Sequence, residues 1–231
     1  MSDHKFKNFA VLTLDIHSVE VKESKKGGQY AVAQASLPMD DNPSPAGAER
    51  LSMPFRVIVT NGLTKVLKAE TTLTLVGHIG YEEKDGKATY LFFPYKFEPS
   101  EKPRNFVQLT LRAGQGADCR YTDAGAFWGR IRMALGIGKD KKGEYKPSLW
   151  LTVKAFSHNG DETLPQKLAA ITKGSLATIT GRLTYEVYTN KEGETRVSVG
   201  VIASKISDFD NGDKTPQDEA PEKEFEEPNF G

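Results

Sequence analysis

One segment of this chain occurs twice. Residues 8–14 read NFAVLTL and residues 105–111, 97 positions later, read NFVQLTL, so five of the seven positions are identical. A glycine followed four residues later by a tyrosine also recurs, beginning at Gly77 and at Gly181. A repeat of about 100 residues has the size of one compact domain. The sequence therefore predicts two copies of one small domain rather than a solenoid of short units.

The apolar periodicity predicts the same order of elements in both copies. In the first copy we expect strands at 9–21, 30–37, 54–60, 71–81 and 89–97, with a helix at 63–69. In the second copy we expect strands at 106–111, 127–135, 149–156, 175–188 and 195–206, with a helix at 164–172. Three strands, a helix and two strands is the order of the five-stranded OB-fold barrel, a fold that often binds oligonucleotides.

The expected fold class is therefore all-β, with two tandem five-stranded OB-fold barrels that each contain one short helix. The first barrel is assigned to residues 1–98, a linker to 99–103 and the second barrel to 104–206. A disordered acidic tail is predicted for 207–231, because this stretch is rich in acids and poor in apolar residues.

The charges are distributed unevenly between the body and the tail. The whole chain has 31 basic and 31 acidic residues, but 207–231 contain nine acids and two lysines, a net charge of −7. The rest of the chain is left with +7. A basic body beside an acidic end indicates a nucleic-acid or membrane partner, although an acidic tail can also serve solubility alone.

Strand alternation predicts a ligand-binding face on the second copy. Leu149, Leu151 and Val153 alternate with more polar or aromatic neighbours, and the aliphatic set is expected to form the core. The outward set of the second and third strands comprises Trp128, Arg130 and Arg132, then Trp150, Lys154 and Phe156. Unpaired bases stack on aromatic rings while lysine and arginine neutralise phosphates, so this pattern favours single-stranded nucleic acid over a duplex. For Trp150 and Phe156, the alternative is a second apolar core.

Further cations and one tyrosine are assigned to the same site. Arg182 and Tyr188 share the outward parity of the fourth strand, and the loop 136–148 contains Lys139, Lys141 and Lys142. That loop is expected to overhang the groove of an OB fold, with an ordinary solvated loop as the alternative. The first copy has fewer such residues, because Phe55 shares parity with the predicted core. We therefore expect the second copy to dominate binding.

The second copy also resembles a known family. The stretch 149–156 (LWLTVKAF), then Lys173-Gly174, 180–183 (TGRL) and Tyr188 are similar to the core pattern of bacterial and phage single-stranded DNA-binding proteins (SSB), some of which have two OB folds per chain. The resemblance implies that Trp150, Phe156 and Tyr188 stack on bases and that the strand of Trp128 contributes a stacking residue. It covers most of 104–206, whereas 6–98 match mainly through the internal repeat.

The end of the tail adds a second point of similarity. SSB chains typically finish with an acidic run and a Pro-Phe tip that docks replication and repair proteins. The matching residues here are Phe225, Glu226, Glu227, Pro228 and Phe230, with Asn229 inserted and Gly231 added. The resemblance thus implies that these residues bind partner proteins.

Catalytic and metal-binding patterns are missing from the sequence. None of the four histidines has a second His or Cys at metal-ligand spacing, and no nucleophile has an adjacent base. We expect no cofactor, no metal and no enzymatic activity. The single Cys119 needs no oxidising compartment, and no apolar run suggests a signal peptide or membrane span, so a soluble cytoplasmic protein is expected, associated with the nucleoid or replication fork.

The sequence thus predicts a protein that binds and protects single-stranded DNA in replication, recombination or repair, recruits proteins through its tail, and forms a homodimer as one possible assembly. A protein–protein adaptor whose OB folds do not bind DNA is the alternative from another class. A nuclease subunit is disfavoured by the missing metal ligands.

Overall fold

The structure is a computed structural model that describes residues 6–24, 27–39, 52–84, 87–100, 102–139, 142–189, 193 and 195–210. Its contacts divide the chain into two compact units. The first unit comprises Phe6–Leu109 and Gly136–Leu149. The second unit comprises Thr110–Leu135 and the described residues from Trp150 onward. Strands dominate both units, so the all-β prediction is confirmed.

The first unit contains a closed barrel of five strands. They are β1 (Asn8–Glu23), β2 (Gln29–Pro38), β3 (Ser52–Thr60), β4 (Thr71–Lys84) and β5 (Lys87–Phe97). Their order is β2-β3-β5-β4-β1, and β1 closes the barrel by pairing with β2. Only the β3–β5 pair among these is parallel, as an OB fold requires.

A second barrel repeats this plan and adds a strand. Its elements are β6 (Asn105–Ala113), β7 (Asp118–Tyr121), β8 (Phe127–Leu135), β9 (Leu149–Phe156), α1 (Thr163–Ala169), β10 (Leu176–Thr189) and β11 (Thr195–Asp210). All of them belong to the second unit except the first five residues of β6 and Leu149 of β9. The order is β6-β10-β11-β9-β8-β7, with a further β6–β8 pairing that closes the barrel. The parallel β9–β11 pair corresponds to β3–β5. Strand β7 lies outside the predicted set of five and extends the edge beside β8.

The repeated glycines, Gly77 and Gly181, lie at a β-bulge that both barrels share. The register shifts between Val76 and Gly77 in β4 and between Thr180 and Gly181 in β10, which marks a β-bulge in each strand. A Cβ atom at Gly77 would collide with the carbonyl oxygen of Phe93, and one at Gly181 with that of Ile202. Glycine recurs at this place because the neighbouring backbone leaves no room for a side chain.

The helix of the first copy is shorter than the sequence predicts. A single 3-10 turn at Asn61–Lys65 replaces the helix expected at 63–69. Gly62 and the β-branched Thr64 and Val66 have low helical propensity, and so short a segment does not offset the cost of helix nucleation. In the second unit, α1 forms as expected and buries Pro165 and Leu168.

The core of each barrel is built from the inward residues of its strands. In the first unit, Leu12, Phe55 and Phe92 are at most 2 % exposed. In the second unit, Ile131, Leu151 and Val201 are at most 1 % exposed. Burial of each such side chain contributes about 1.5–3 kcal/mol relative to exposure, so these rows fix which face of every strand points outward.

Candidate functional site

The outward face of β8 and β9 in the second unit holds the predicted aromatic and basic side chains. Along β8, the buried Ile131 and Met133 alternate with the half-buried Arg130 and Arg132. Along β9, Leu151 and Val153 are buried whereas Lys154 is half-buried and Phe156 is 43 % exposed. The alternation predicted from the sequence is present, and the aromatic side chains of this face are therefore separated from the core.

The rings and guanidinium groups of this face contact one another. Trp128 and Phe156 are stacked, with ring centroids 6.1 Å apart and an interplanar angle of 16°. The guanidinium carbon of Arg120 lies 4.9 Å from the Trp128 ring centroid, and that of Arg132 lies 5.3 Å from the Trp150 ring centroid. Cation–π contacts of this kind hold the rings in place while the charge stays at the surface.

Gly114 provides the space that Trp150 occupies. A Cβ atom at this position would lie 2.6 Å from Cζ3 and 2.9 Å from Cη2 of the indole. The Gly114 amide also donates a 2.9 Å hydrogen bond to the carbonyl oxygen of Arg132, which ties it to β8. Gly114 is not among the site residues predicted from the sequence, because a glycine after a strand also fits an ordinary turn.

Two of the predicted cations are paired with carboxylates that are not among the predicted site residues. The Arg130 Nε lies 3.2 Å from Asp118 Oδ2 of β7, and the Lys154 Nζ lies 2.5 Å from Glu186 Oε1 of β10. The cationic set of the face is Arg120, Arg130, Arg132, Lys154 and Arg182, so it still outnumbers these two acids. A phosphate that binds Lys154 has to compete with Glu186.

The Lys154–Glu186 contact also defines which side of β10 faces the site. Side chains two residues apart share one side of a strand, so Arg182 and Tyr188 lie on the side of Glu186. Both are half-buried. Tyr185 points to the opposite side, where burial raises its pKa. Arg182 and Tyr188 therefore occur on the face to which the sequence assigned them.

The predicted loop lysines belong to another part of the structure. Lys139 and Lys142 are exposed and lie in Gly136–Leu149, which packs within the first unit. The Lys139 Nζ lies 4.6 Å from the ring centroid of Tyr145. Lys141 lies outside the described residues, as do the predicted tail residues Phe225, Glu226, Glu227, Pro228 and Phe230.

The corresponding face of the first unit also contains an ion pair, but its aromatic side chains lie at other positions. Phe55 is 2 % exposed and belongs to the core, as the sequence predicts. The Arg56 Nη1 lies 2.8 Å from Glu82 Oε1. Glu82 occupies the place of Glu186, but the strand register puts Arg56 at the place of Thr152 rather than Lys154. This face also contains a stacked pair of rings, His78 of β4 and Phe93 of β5. The pair lies outside β2 and β3, the strands that were compared in the sequence.

Other chemical groups give no support for catalysis. Within the described ranges, no group of three or more His, Cys, Asp or Glu side chains is placed to hold a metal ion. Burial, together with the negative charge of Asp118, raises the pKa of the Cys119 thiol, which disfavours the reactive thiolate. No helix in the described part of the chain is long and apolar enough to cross a membrane.

Together, the barrels and this face define an OB-fold protein with an aromatic and cationic surface on β8, β9 and β10. Residues 104–209 match the model of the Single-strand binding protein family. No curated protein matches the chain.

Two solved structures are similar over nearly the whole chain. One is a deletion mutant of the single-stranded DNA binding protein from Thermus aquaticus, 20% identical with a TM-score of 0.56, over 93% of this chain and 99% of that one. The other is the wild-type protein from the same organism, 17% identical with a TM-score of 0.55, over 91% of this chain and 97% of that one. At these identities the likeness shows the fold.

Proposed function

We propose that the protein binds single-stranded DNA without sequence preference through the outward face of β8, β9 and β10. The supporting observation is the set of rings and guanidinium groups on this face, with Trp128 stacked on Phe156 and Arg132 over Trp150. Every base offers a flat aromatic surface, so stacking on such rings does not depend on sequence. The family match of residues 104–209 supports a binding function rather than an enzymatic one.

The face suits a single strand better than a duplex. Bases in a duplex are already stacked on their neighbours, whereas an unpaired base gains about 1–3 kcal/mol from an aromatic side chain. The cations around Trp150 and Trp128 neutralise phosphates, and each neutralised phosphate of a single strand contributes about −0.7 to the slope of log K against log salt.

A titration of the full-length protein with oligo-dT tests this proposal. Stacking of bases on Trp128 and Trp150 is expected to quench the intrinsic fluorescence, and a duplex of equal length is expected to bind more weakly. The substitution Trp150→Ala is expected to weaken the binding free energy by about 1–3 kcal/mol. Tyr121→Ala is the matched control, because Tyr121 is 60 % exposed and its register with Phe127 places it on the opposite side of the sheet.

The result also separates DNA binding from the adaptor alternative. An adaptor without DNA binding would show neither quenching nor a salt-dependent change in the anisotropy of a labelled oligonucleotide. Unchanged affinity in Trp150→Ala would remove Trp150 from the site. Loss of the folded circular-dichroism spectrum in that variant would instead show that Trp150 is a core residue.

A cellular role is part of the same proposal. Protection of single strands during replication, recombination or repair, recruitment of proteins through residues 225–230, homodimer formation and a place at the nucleoid or replication fork are further parts of the proposal. The support for recruitment is the acidic sequence that ends in Pro228 and Phe230. Co-purification with the full chain, compared with a Phe230→Ala variant, tests it.

A further inference from the structure

The outward face of the first unit contains an aromatic stack, His78 and Phe93, to which the proposed function assigns no role. His78 of β4 and Phe93 of β5 are directly paired across the two strands. Their rings are stacked, with centroids 5.0 Å apart and an interplanar angle of 18°. His78 is exposed and Phe93 is half-buried. The neighbouring Phe92 is fully buried, so Phe93 points away from the core.

Gly80 provides space for the ring of Phe93. A Cβ atom at Gly80 would be 2.6 Å from Cε2 of Phe93, so the ring occupies the space that a side chain would otherwise fill. Covering a strand glycine with an aromatic ring also protects the backbone. That structural role explains the place of Phe93, but it does not explain why a second flat ring, His78, remains exposed beside it.

The charges on this face suit a nucleic acid strand with few phosphate contacts. Partial covering of the His78 imidazole lowers its pKa, which favours the neutral, uncharged ring. Arg56 and Glu82 form an ion pair on the same side of the sheet, with side chains 40% and 48% exposed. The second unit also has a lysine–glutamate ion pair, Lys154 and Glu186, between its third and fourth barrel strands.

We propose that the His78–Phe93 stack is a second base-binding platform, on which an unpaired base of single-stranded DNA continues the stack of the two rings. This inference rests on the proposed function and deepens it, because it assigns base contacts to the first unit. Stacking on a ring changes affinity by about fivefold or more per base, which sets the size of the expected effect.

The first experiment compares two aromatic positions on opposite sides of the same pair of strands. In the full-length protein, Phe93→Leu is expected to lower the affinity for a long oligo-dT at least about fivefold. Phe93→Tyr keeps a ring and is expected to bind like the wild type. Tyr81→Leu is the control, because Tyr81 lies on β4 but packs on Tyr90 at the opposite face. It is expected to change the affinity less than about twofold.

The second experiment places a reporter in the stack and does not depend on the stability of Phe93→Leu. In a chain with Trp128→Phe and Trp150→Phe, the further change Phe93→Trp leaves one tryptophan. Oligo-dT is expected to quench its fluorescence with the same midpoint as the anisotropy of the labelled oligonucleotide. The inference is overturned if the anisotropy reports binding while the fluorescence of this tryptophan does not change and Phe93→Leu binds oligo-dT like the wild type. Absence of binding by the wild-type chain would instead overturn the proposed function.

Discussion

At the scale of single residues, the space occupied by Trp150 offers a test that substitutes none of the proposed DNA-contacting side chains. Gly114→Ala adds one methyl group where a Cβ atom would lie 2.6 Å from the indole, so the ring has to move. We expect weaker binding of oligo-dT, with a loss of up to about 3 kcal/mol, the largest contribution of one stacked base. The matched control is Gly116→Ala, because no atom lies within 4 Å of a Cβ at Gly116. Equal affinities of the two variants would contradict the role of Gly114.

Glu186 is the second residue with a predictable effect. Glu186→Gln removes the carboxylate that now holds the Lys154 Nζ at 2.5 Å, so a phosphate no longer competes for that ammonium group. Oligo-dT binding is expected to tighten at low salt, and the slope of log K against log salt is expected to become steeper by about 0.7, which corresponds to one more phosphate contact. Glu162→Gln is the control, since Glu162 accepts a hydrogen bond from Tyr121 rather than from Lys154. Weaker binding of Glu186→Gln would show that the ion pair positions Lys154 for DNA.

These two residues also show what the sequence could reveal. Period-two alternation predicted the outward places of Trp150, Lys154 and Phe156, because one buried face dictates the other. The contacts of Lys154 with Glu186 and of Trp150 with Gly114 join segments 32 and 36 positions apart in the sequence. Such contacts depend on how strands lie beside each other, and local periodicity contains no information about that.

At the scale of elements, the glycine bulges of β4 and β10 connect the sequence repeat with stability. Gly181→Ala places a methyl group against the carbonyl oxygen of Ile202, and the main chain cannot move aside as a flexible side chain could. We expect a loss of about 1–3 kcal/mol in the free energy of unfolding, and a similar loss for Gly77→Ala. Urea denaturation measures both, with Gly116→Ala as the control. A stability equal to the wild type would mean that the bulge relaxes without cost.

The observed strand ends agree with the predicted ones where a strand has a continuous apolar face, and they differ from the prediction where it does not. Strands β8 and β9 begin and end at the predicted residues. Strand β7 was missed because Asp118–Tyr121 is short and mostly exposed, although the turn around Gly125, with a φ of 78°, marks the hairpin that it forms with β8. Strand β11 continues to Asp210, four residues beyond the predicted end, because Leu176 pairs with Asp210 across a register shift in β10.

At the scale of the whole molecule, the separation of charge along the chain predicts competition with DNA. Residues 211–231 contain seven acids and two lysines, whereas the chain as a whole is neutral. The acidic segment lowers the attraction of the basic body for phosphates, by repulsion and by competition for the same cations. Both effects are electrostatic and decrease within a Debye length, about 10 Å at 0.1 M salt.

Truncation after Asp210 tests this competition without disturbing the barrel. The extent of β11 sets the place of the cut, since a cut after Ser207 would remove the residue that pairs with Leu176. The truncated protein is expected to bind oligo-dT more tightly than the full chain at low salt, and the two affinities are expected to converge as salt rises. A full-length variant in which the seven acids of 211–231 become Asn or Gln separates charge from length and is expected to match the truncation. If the truncated chain bound with equal or lower affinity at low salt, the acidic segment would not be a competitor of DNA.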